Sequence, residues 1–226
     1  MNGVVLKTVI AVAGVAWVLL LVVGGTVHVD STIQGGGWIA ESRALWAPYG
    51  GAVTAASVFV WLFDKWLWAL PPLSWLVRRP NLRGTWRGEL RSQWIDPQTQ
   101  KNPPPIPSFV SVAQTASTLY LRQYTAESES ATIAASILKD TDDAESVSVL
   151  YRNDPTVDVR GRSPIHFGGM HLRVNGQDAM EGDYWTDRNT TGRLLLKRVS
   201  LKKSRGFAEA EQLAAKAQGS LNVIET

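Results

Sequence analysis

Between Gly182 and Gly192 the chain reads GDYWTDRNTTG. Tyr184 and Trp185 offer flat faces on which planar groups can stack, and Arg188 is a forked cationic donor that matches phosphate oxygens. Thr186, Asn189 and Thr190 add short hydroxyl and amide groups able to fix the edge of a bound ring. Side chains alternate along a strand, so Tyr184 and Thr186 share one face and Trp185 and Asp187 the other. Tyr151, Arg152 and Asn153 in VLYRNDP repeat the same chemistry. Both stretches also have a purely architectural reading. Asp187, Arg188 and Asn189 can simply connect two strands, and Asn153-Asp154-Pro155 can form a turn.

Catalytic constellations are missing from the sequence. His28, His166 and His171 are the only histidines. The last two share an expected strand at an odd spacing, which puts them on opposite faces unless Gly168-Gly169 bulges. No P-loop, H-E-x-x-H, G-x-S-x-G or G-x-G-x-x-G occurs. The clustered acids Asp140, Asp142, Asp143 and Glu145 fall in a turn. With no cysteine among 226 residues, disulfides and thiolate metal sites are excluded. The expectation is a protein that is not an enzyme and carries no metal or cofactor.

Charge narrows the partners. The net charge is only +3, too small to argue for a DNA or RNA polymer. From Arg78 to Arg205, however, there are 19 Lys/Arg against 14 Asp/Glu. A basic block of this kind favours phosphate-bearing ligands or a lipid surface.

Two apolar segments precede that block. Val4–Val27 carries one charge, Lys7, and as a helix would extend about 36 Å, enough to cross a bilayer core of about 30 Å. A cleaved signal peptide fits less well, because no basic region precedes the run and no A-x-A-like site follows Leu21. The second segment, about 48–70, holds Gly51, Ala52, Ala55 and Ala56. Small residues four apart, such as Gly51 and Ala55, let helix backbones approach closely in lipid, within one hairpin or between copies. Trp61, Trp66, Trp68 and Trp75 then suggest an interfacial belt, and Arg78, Arg79, Arg83 and Arg87 follow. The loop 28–47 is not basic. Residues 1–79 therefore read as a transmembrane hairpin with both termini cytoplasmic.

After Pro80 the period changes to two. In LRGTWRGELRSQW, Trp86, Gly88, Leu90, Ser92 and Trp94 share a face. Seven further strand candidates follow, from FVSVAQ to GRLLLKRVS, separated by turn chemistry that includes Asn175-Gly176, a type I′ hairpin signal. Eight meandering strands over 80–201 predict a compact antiparallel β-barrel, with a sandwich as the alternative. Trp86 is expected as barrel core or floor. Residues 202–226 are read as a tail, a short helix or disordered, solvated or frayed.

The order of these pieces resembles one family. A hairpin, then G-x-W-x-G (Gly84–Gly88), then Y-x-N-x-P (Tyr151–Pro155), then G-x-Y-W-T-x-R-x-T-x-G (Gly182–Gly192) is similar to the two-transmembrane, β-strand-rich effectors of CBASS, bacterial anti-phage systems that signal with cyclic oligonucleotides. The resemblance runs from Val4 to about Ser200. It implies a bacterial inner-membrane, multi-pass protein whose barrel binds a cyclic dinucleotide as activating ligand, with Tyr151, Arg152, Asn153, Tyr184, Thr186, Arg188 and Thr190 as candidate ligand contacts. It further implies homo-oligomerisation and disruption of the bilayer, ending in cell death or growth arrest. The alternative is a lipocalin-like barrel for an apolar ligand, suggested by the Gly-Thr-Trp opening of the first strand. Polar inward positions would favour the nucleotide, and a uniformly apolar lumen the lipid.

Overall fold

The computed structural model describes residues 53–71, 73–77, 79–139 and 144–224. The chain divides into two compact units, 1–78 with 115–117, and 79–114 with 118–226. The first expected span, 4–27, lies outside the described residues, as does Gly51. In the smaller unit a helix, α1, runs over 53–65 and gives way to a 3-10 turn at Leu67–Ala69 and a short helix α2 at Leu73–Val77. This is shorter than the expected helix to residue 70. Proline disfavours the helical region for the residue before it, and Leu70, preceding Pro71, is extended at φ −89°, ψ 136°. Among the described residues no helix is long and apolar enough to cross a membrane. Ala55 is exposed on α1, as are Val53, Val58, Phe59 and Trp61. Asp64 is bound within the unit. One carboxylate oxygen accepts from the Thr115 hydroxyl at 3.1 Å and the Ser117 amide at 2.9 Å.

The larger unit is an antiparallel barrel of eight strands in sequence order, closed by pairing of the last strand with the first. The strands are β1 (Gly84–Ser92), β2 (Ile106–Gln114), β3 (Leu119–Tyr124), β4 (Ser128–Lys139), β5 (Glu145–Pro155), β6 (His166–Asn175), β7 (Ala179–Thr186) and β8 (Thr191–Ser200). All eight expected strands form, because each can bury one face and the closed sheet leaves no edge. The Asn175-Gly176 hairpin differs in detail. Gly176 is left-handed at φ +66°, but Asn175 stays in the ladder opposite Ala179, so three residues make the turn. The Asn175 amide donates to Glu181 at 3.0 Å across that pair, which holds it in the strand.

The barrel is filled at one end. Trp86 is fully buried and its indole donates to the Leu82 carbonyl at 2.9 Å. Gln114 clamps the incoming chain, accepting from the Leu82 amide at 2.8 Å and donating to the Pro80 carbonyl at 2.9 Å. The Arg198 guanidinium lies 5.2 Å from the Trp86 ring centre and pairs with Asp178 at 2.9 Å. Val110, Val112, Val147, Leu172 and Leu194 continue the core above this floor, each no more than 1% exposed.

The carboxy-terminal segment takes the helical alternative expected for it, but it is packed rather than solvated or frayed. It forms α3 (Phe207–Ile224), and Ala210 and Ala214 are buried against the barrel's outer wall at Phe109 and Val199. The Phe207 and Phe109 rings meet edge to face at 5.3 Å. Alanines on one helix stripe made this face; composition alone marks them only as helix formers.

Candidate functional site

At the opposite end the strand ends open into a mouth. Four connections ring it: 93–105 with its proline run, 125–127, 156–165 with a 3-10 turn at Val157–Val159, and the turn 187–190. They surround a cavity of about 530 Å³, within the range of small-molecule sites. Tyr151, Asn153, Tyr184, Thr186, Arg188 and Thr190 all line it. Two sequence motifs some thirty residues apart thus meet because β5 and β7 both pair with β6.

Register explains how the two tyrosines fit. Tyr151 stands opposite Gly168 on β6, and Tyr184 opposite Gly192 on β8. A Cβ at Gly168 would fall onto the Tyr151 phenol, and one at Gly192 onto the Tyr184 ring. Each glycine gives a ring room to lie along the barrel wall, which keeps the mouth open. Both rings are more than nine-tenths buried.

Polar pairs form the next tier. Ser130 donates to Asn153 Oδ1 at 2.8 Å, leaving the Asn153 amide nitrogen to donate to a bound group. Gln123 donates to Ser108 at 2.7 Å, and both pairs are buried. Gln123, Ser130, Asn153 and His166 follow one another strand by strand across β3 to β6, so they form a continuous band. The lumen is therefore apolar at depth and carries a polar band among apolar residues at its mouth.

The turn Thr186–Thr190 is both connection and rim. Asn189 adopts φ +57°, the Thr186 amide donates to the Thr190 carbonyl at 3.0 Å, and the two threonine hydroxyls are 2.5 Å apart. Arg188 reaches across the mouth to donate to the Ser163 hydroxyl at 3.0 Å. Arg162 beside it pairs with Glu127 at 2.6 Å. Three rim connections are linked in this way, with two guanidinium groups over the opening.

Arg152 is not brought to this cavity. Alternation that turns Tyr151 and Asn153 inward turns Arg152 outward, where it pairs with Asp154 at 3.3 Å. There it borders a depression of about 600 Å³ with Arg160, Tyr124 and Phe207. Arg160 also bonds Asp154, at 2.9 Å, so the charges of that outer depression largely satisfy one another. Asn153-Asp154-Pro155 continues β5 to its end and is no turn. His166 faces the mouth while His171, on the outer face, bonds Ser148 at 2.9 Å.

Sequence reasoning missed Gln123, Ser130, Ser108, Arg162, Ser163 and Trp94 as neighbours of the cavity. Gln123 had a signal, since it shares the inward phase of Leu121. Arg162 and Ser163 had none, because a ten-residue loop has no periodicity to read.

Burial raises the pKa of Tyr151 well above the ordinary phenol value, helped by the neighbouring Tyr184 and Asp187 charges, and burial raises Tyr184 as well. A phenol whose folded pKa exceeds its unfolded value of about 10 stabilises the fold fully below pH 10 and less as the pH rises above it. Thermal stability should therefore fall above pH 10 more steeply in the wild type than in Tyr151→Phe, measured by circular dichroism melts. Parallel curves would show that Tyr151 ionisation is not linked to folding.

Residues 77–198, more than half of the chain, match the family model described as Cap15, cyclic dinucleotide receptor domain. This chain belongs to the Cap15 family. No curated protein matches it. The matched segment contains all eight strands nearly to the end of β8, so the Cap15 receptor domain and the barrel are one object, and the mouth described above lies wholly within it.

Proposed function

We propose that the chain is a membrane-anchored receptor and effector of a CBASS anti-phage system, acting by binding rather than catalysis. The mouth of its barrel takes a cyclic dinucleotide, and ligand promotes homo-oligomerisation and disruption of the bacterial inner membrane. The observation that carries this reading is the convergence of Tyr151, Tyr184, Asn153, Thr186, Thr190 and Arg188 on one cavity inside a Cap15 receptor domain. A cyclic dinucleotide presents flat bases, phosphates and base edges; the rings, the guanidinium groups and the amide and hydroxyl groups answer these respectively. The lipocalin-like alternative requires an apolar lumen open to ligand. Here the apolar depth is filled by Trp86 and its neighbours, and the space that remains sets Gln123, Ser130, Asn153 and Arg188 among apolar groups such as Leu90 and Ile106, a mixture that suits a ligand with both flat and charged parts.

Membrane anchoring is supported by the apolar run 4–27, by the exposed Val53, Val58, Phe59 and Trp61 on α1, and by the arginines that follow. The arginines after the second apolar segment support a cytoplasmic position for both termini under the positive-inside rule. For ligand to drive assembly, the assembled state must bind it more tightly than the isolated chain does.

Calorimetric titration of the full chain in detergent micelles with a panel of 3′,3′-linked cyclic dinucleotides tests the reading. Saturable binding of one member is expected. Arg188→Ala should weaken it by roughly 10- to 100-fold, the worth of a hydrogen bond from a charged group. An unchanged affinity would remove Arg188 from the site, and no binding by any member would sink the nucleotide reading.

A further inference from the structure

The strands that line the mouth carry an unusual outer face. Leu150 on β5 stands opposite Gly169 on β6, which stands opposite Trp185 on β7. The Trp185 ring lies over Gly169, in the place a Cβ there would take. Phe167, one outward position nearer the mouth, is flanked by Arg152 on β5 and Asp187 beyond β7. Leu150, Phe167 and Trp185 are 48%, 49% and 50% exposed. A bulge in β4 between Thr132 and Ala134 turns Ile133 outward beside them, and it is also exposed. Half-exposed aliphatic and aromatic side chains in register on adjacent strands form one apolar patch, which marks an interaction surface.

We propose that this outer wall of β5, β6 and β7 is a docking face for a second copy of the same chain. Charge placement selects that occupant. A two-fold axis running along β6 sets Phe167 against its own counterpart and Leu150 against Trp185. It also sets Arg152 of each copy against Asp187 of the other, so the face is complementary to itself. Arg152 keeps donors beyond its contact with Asp154, and Asp187 keeps an oxygen beyond the one that accepts the Phe167 amide at 3.1 Å. The β6 strands of the two copies then run parallel. The proposal rests on the reading of the chain as a membrane effector that assembles. It adds the surface by which the barrels meet, and ties it to the mouth. Leu150 adjoins Tyr151, and Trp185 sits between Tyr184 and Thr186. Four half-exposed apolar side chains, against the roughly 20–30 residues a side of a standard interface of about 800 Å² per partner, suit pairing of copies concentrated in a membrane rather than in dilute micelles.

The chain has no cysteine, so a single introduced thiol reports on one position. Full chain carrying Phe167→Cys is reconstituted in phosphatidylethanolamine–phosphatidylglycerol vesicles and oxidised, beside Lys197→Cys on the outer wall of β8 as control. A disulfide-linked dimer several-fold more abundant at Phe167 is expected, and it should be lost when Leu150→Lys or Trp185→Lys is added. Arg152→Asp alone and Asp187→Arg alone should each reduce the dimer, and the two together should restore it. Equal yields at both cysteines, or a double charge exchange that restores nothing, overturn the proposal. So does quenching of a dye on the Phe167→Cys thiol by brominated lipid, which assigns the face to the bilayer. If the Phe167→Cys dimer persists while no 3′,3′-linked cyclic dinucleotide binds or increases it, the docking face stands and the nucleotide reading fails.

Discussion

Tyr151→Ala should lower the affinity for the activating cyclic dinucleotide by roughly 5- to 150-fold, the equivalent of about 1–3 kcal/mol for a lost aromatic stacking platform. The ring is buried to 6% exposure, lies along Gly168 and lines the mouth, so it presents a fixed face rather than a mobile one. Tyr151→Phe should keep most of the affinity, because the stacking face survives. Titration calorimetry of both variants beside the wild type checks this, after circular dichroism has shown that each is folded at the assay temperature. Removing a buried ring also leaves a cavity, so loss of fold must be separated from loss of contact. If Tyr151→Ala folds and binds within twofold of wild type, the ring is wall and not platform.

Trp86→Ala should have the largest effect on stability, about 3–5 kcal/mol, as for other buried aromatics truncated to alanine. In a chain of this size that corresponds to a melting temperature lower by roughly 10 °C. The loss combines an emptied floor, a Leu82 carbonyl without its indole donor, and an Arg198 guanidinium without the ring beneath it. Trp86→Phe should cost less, since it refills most of the volume. Because Trp86 lies at the closed end and the ligand contacts at the mouth, the affinity of whatever fraction remains folded should be unchanged. A melting temperature within about 2 °C of wild type would show that the floor is held by other residues.

These two residues show how far the sequence could be read. Trp86 announced itself through period-two alternation in β1, where Trp86, Gly88, Leu90 and Ser92 share a phase, which predicts barrel core or floor without saying which end is closed. Tyr184 and Thr186 were separable from Trp185 and Asp187 by the same parity. Asn153 was ambiguous, because Asn-Asp-Pro scores as a turn on local chemistry, and only its pairing with Ser130 and His166 keeps it in β5. Arg152 fell on the wrong side of that parity for a mouth contact. In β4 alternation itself misleads: Ile133 and Ile137 have even spacing, yet the bulge after Thr132 puts Ile133 outside and leaves Ile137 against the core.

The sequence by itself determined the eight strands and their order, the family, and which residues of the first strand and of Tyr184–Asp187 share a face. These depend on residues near one another, through alternation, turn chemistry and motif order. Only the tertiary structure decided which end of the barrel is open, that Tyr151 and Tyr184 each have a glycine to lie on, and that Arg162 and Ser163 join Arg188 at the rim. It also decided that the carboxy-terminal helix packs on the wall at Phe109. Those features arise from pairing between distant strands, and a shift of register by one residue would reverse every face without altering any local pattern.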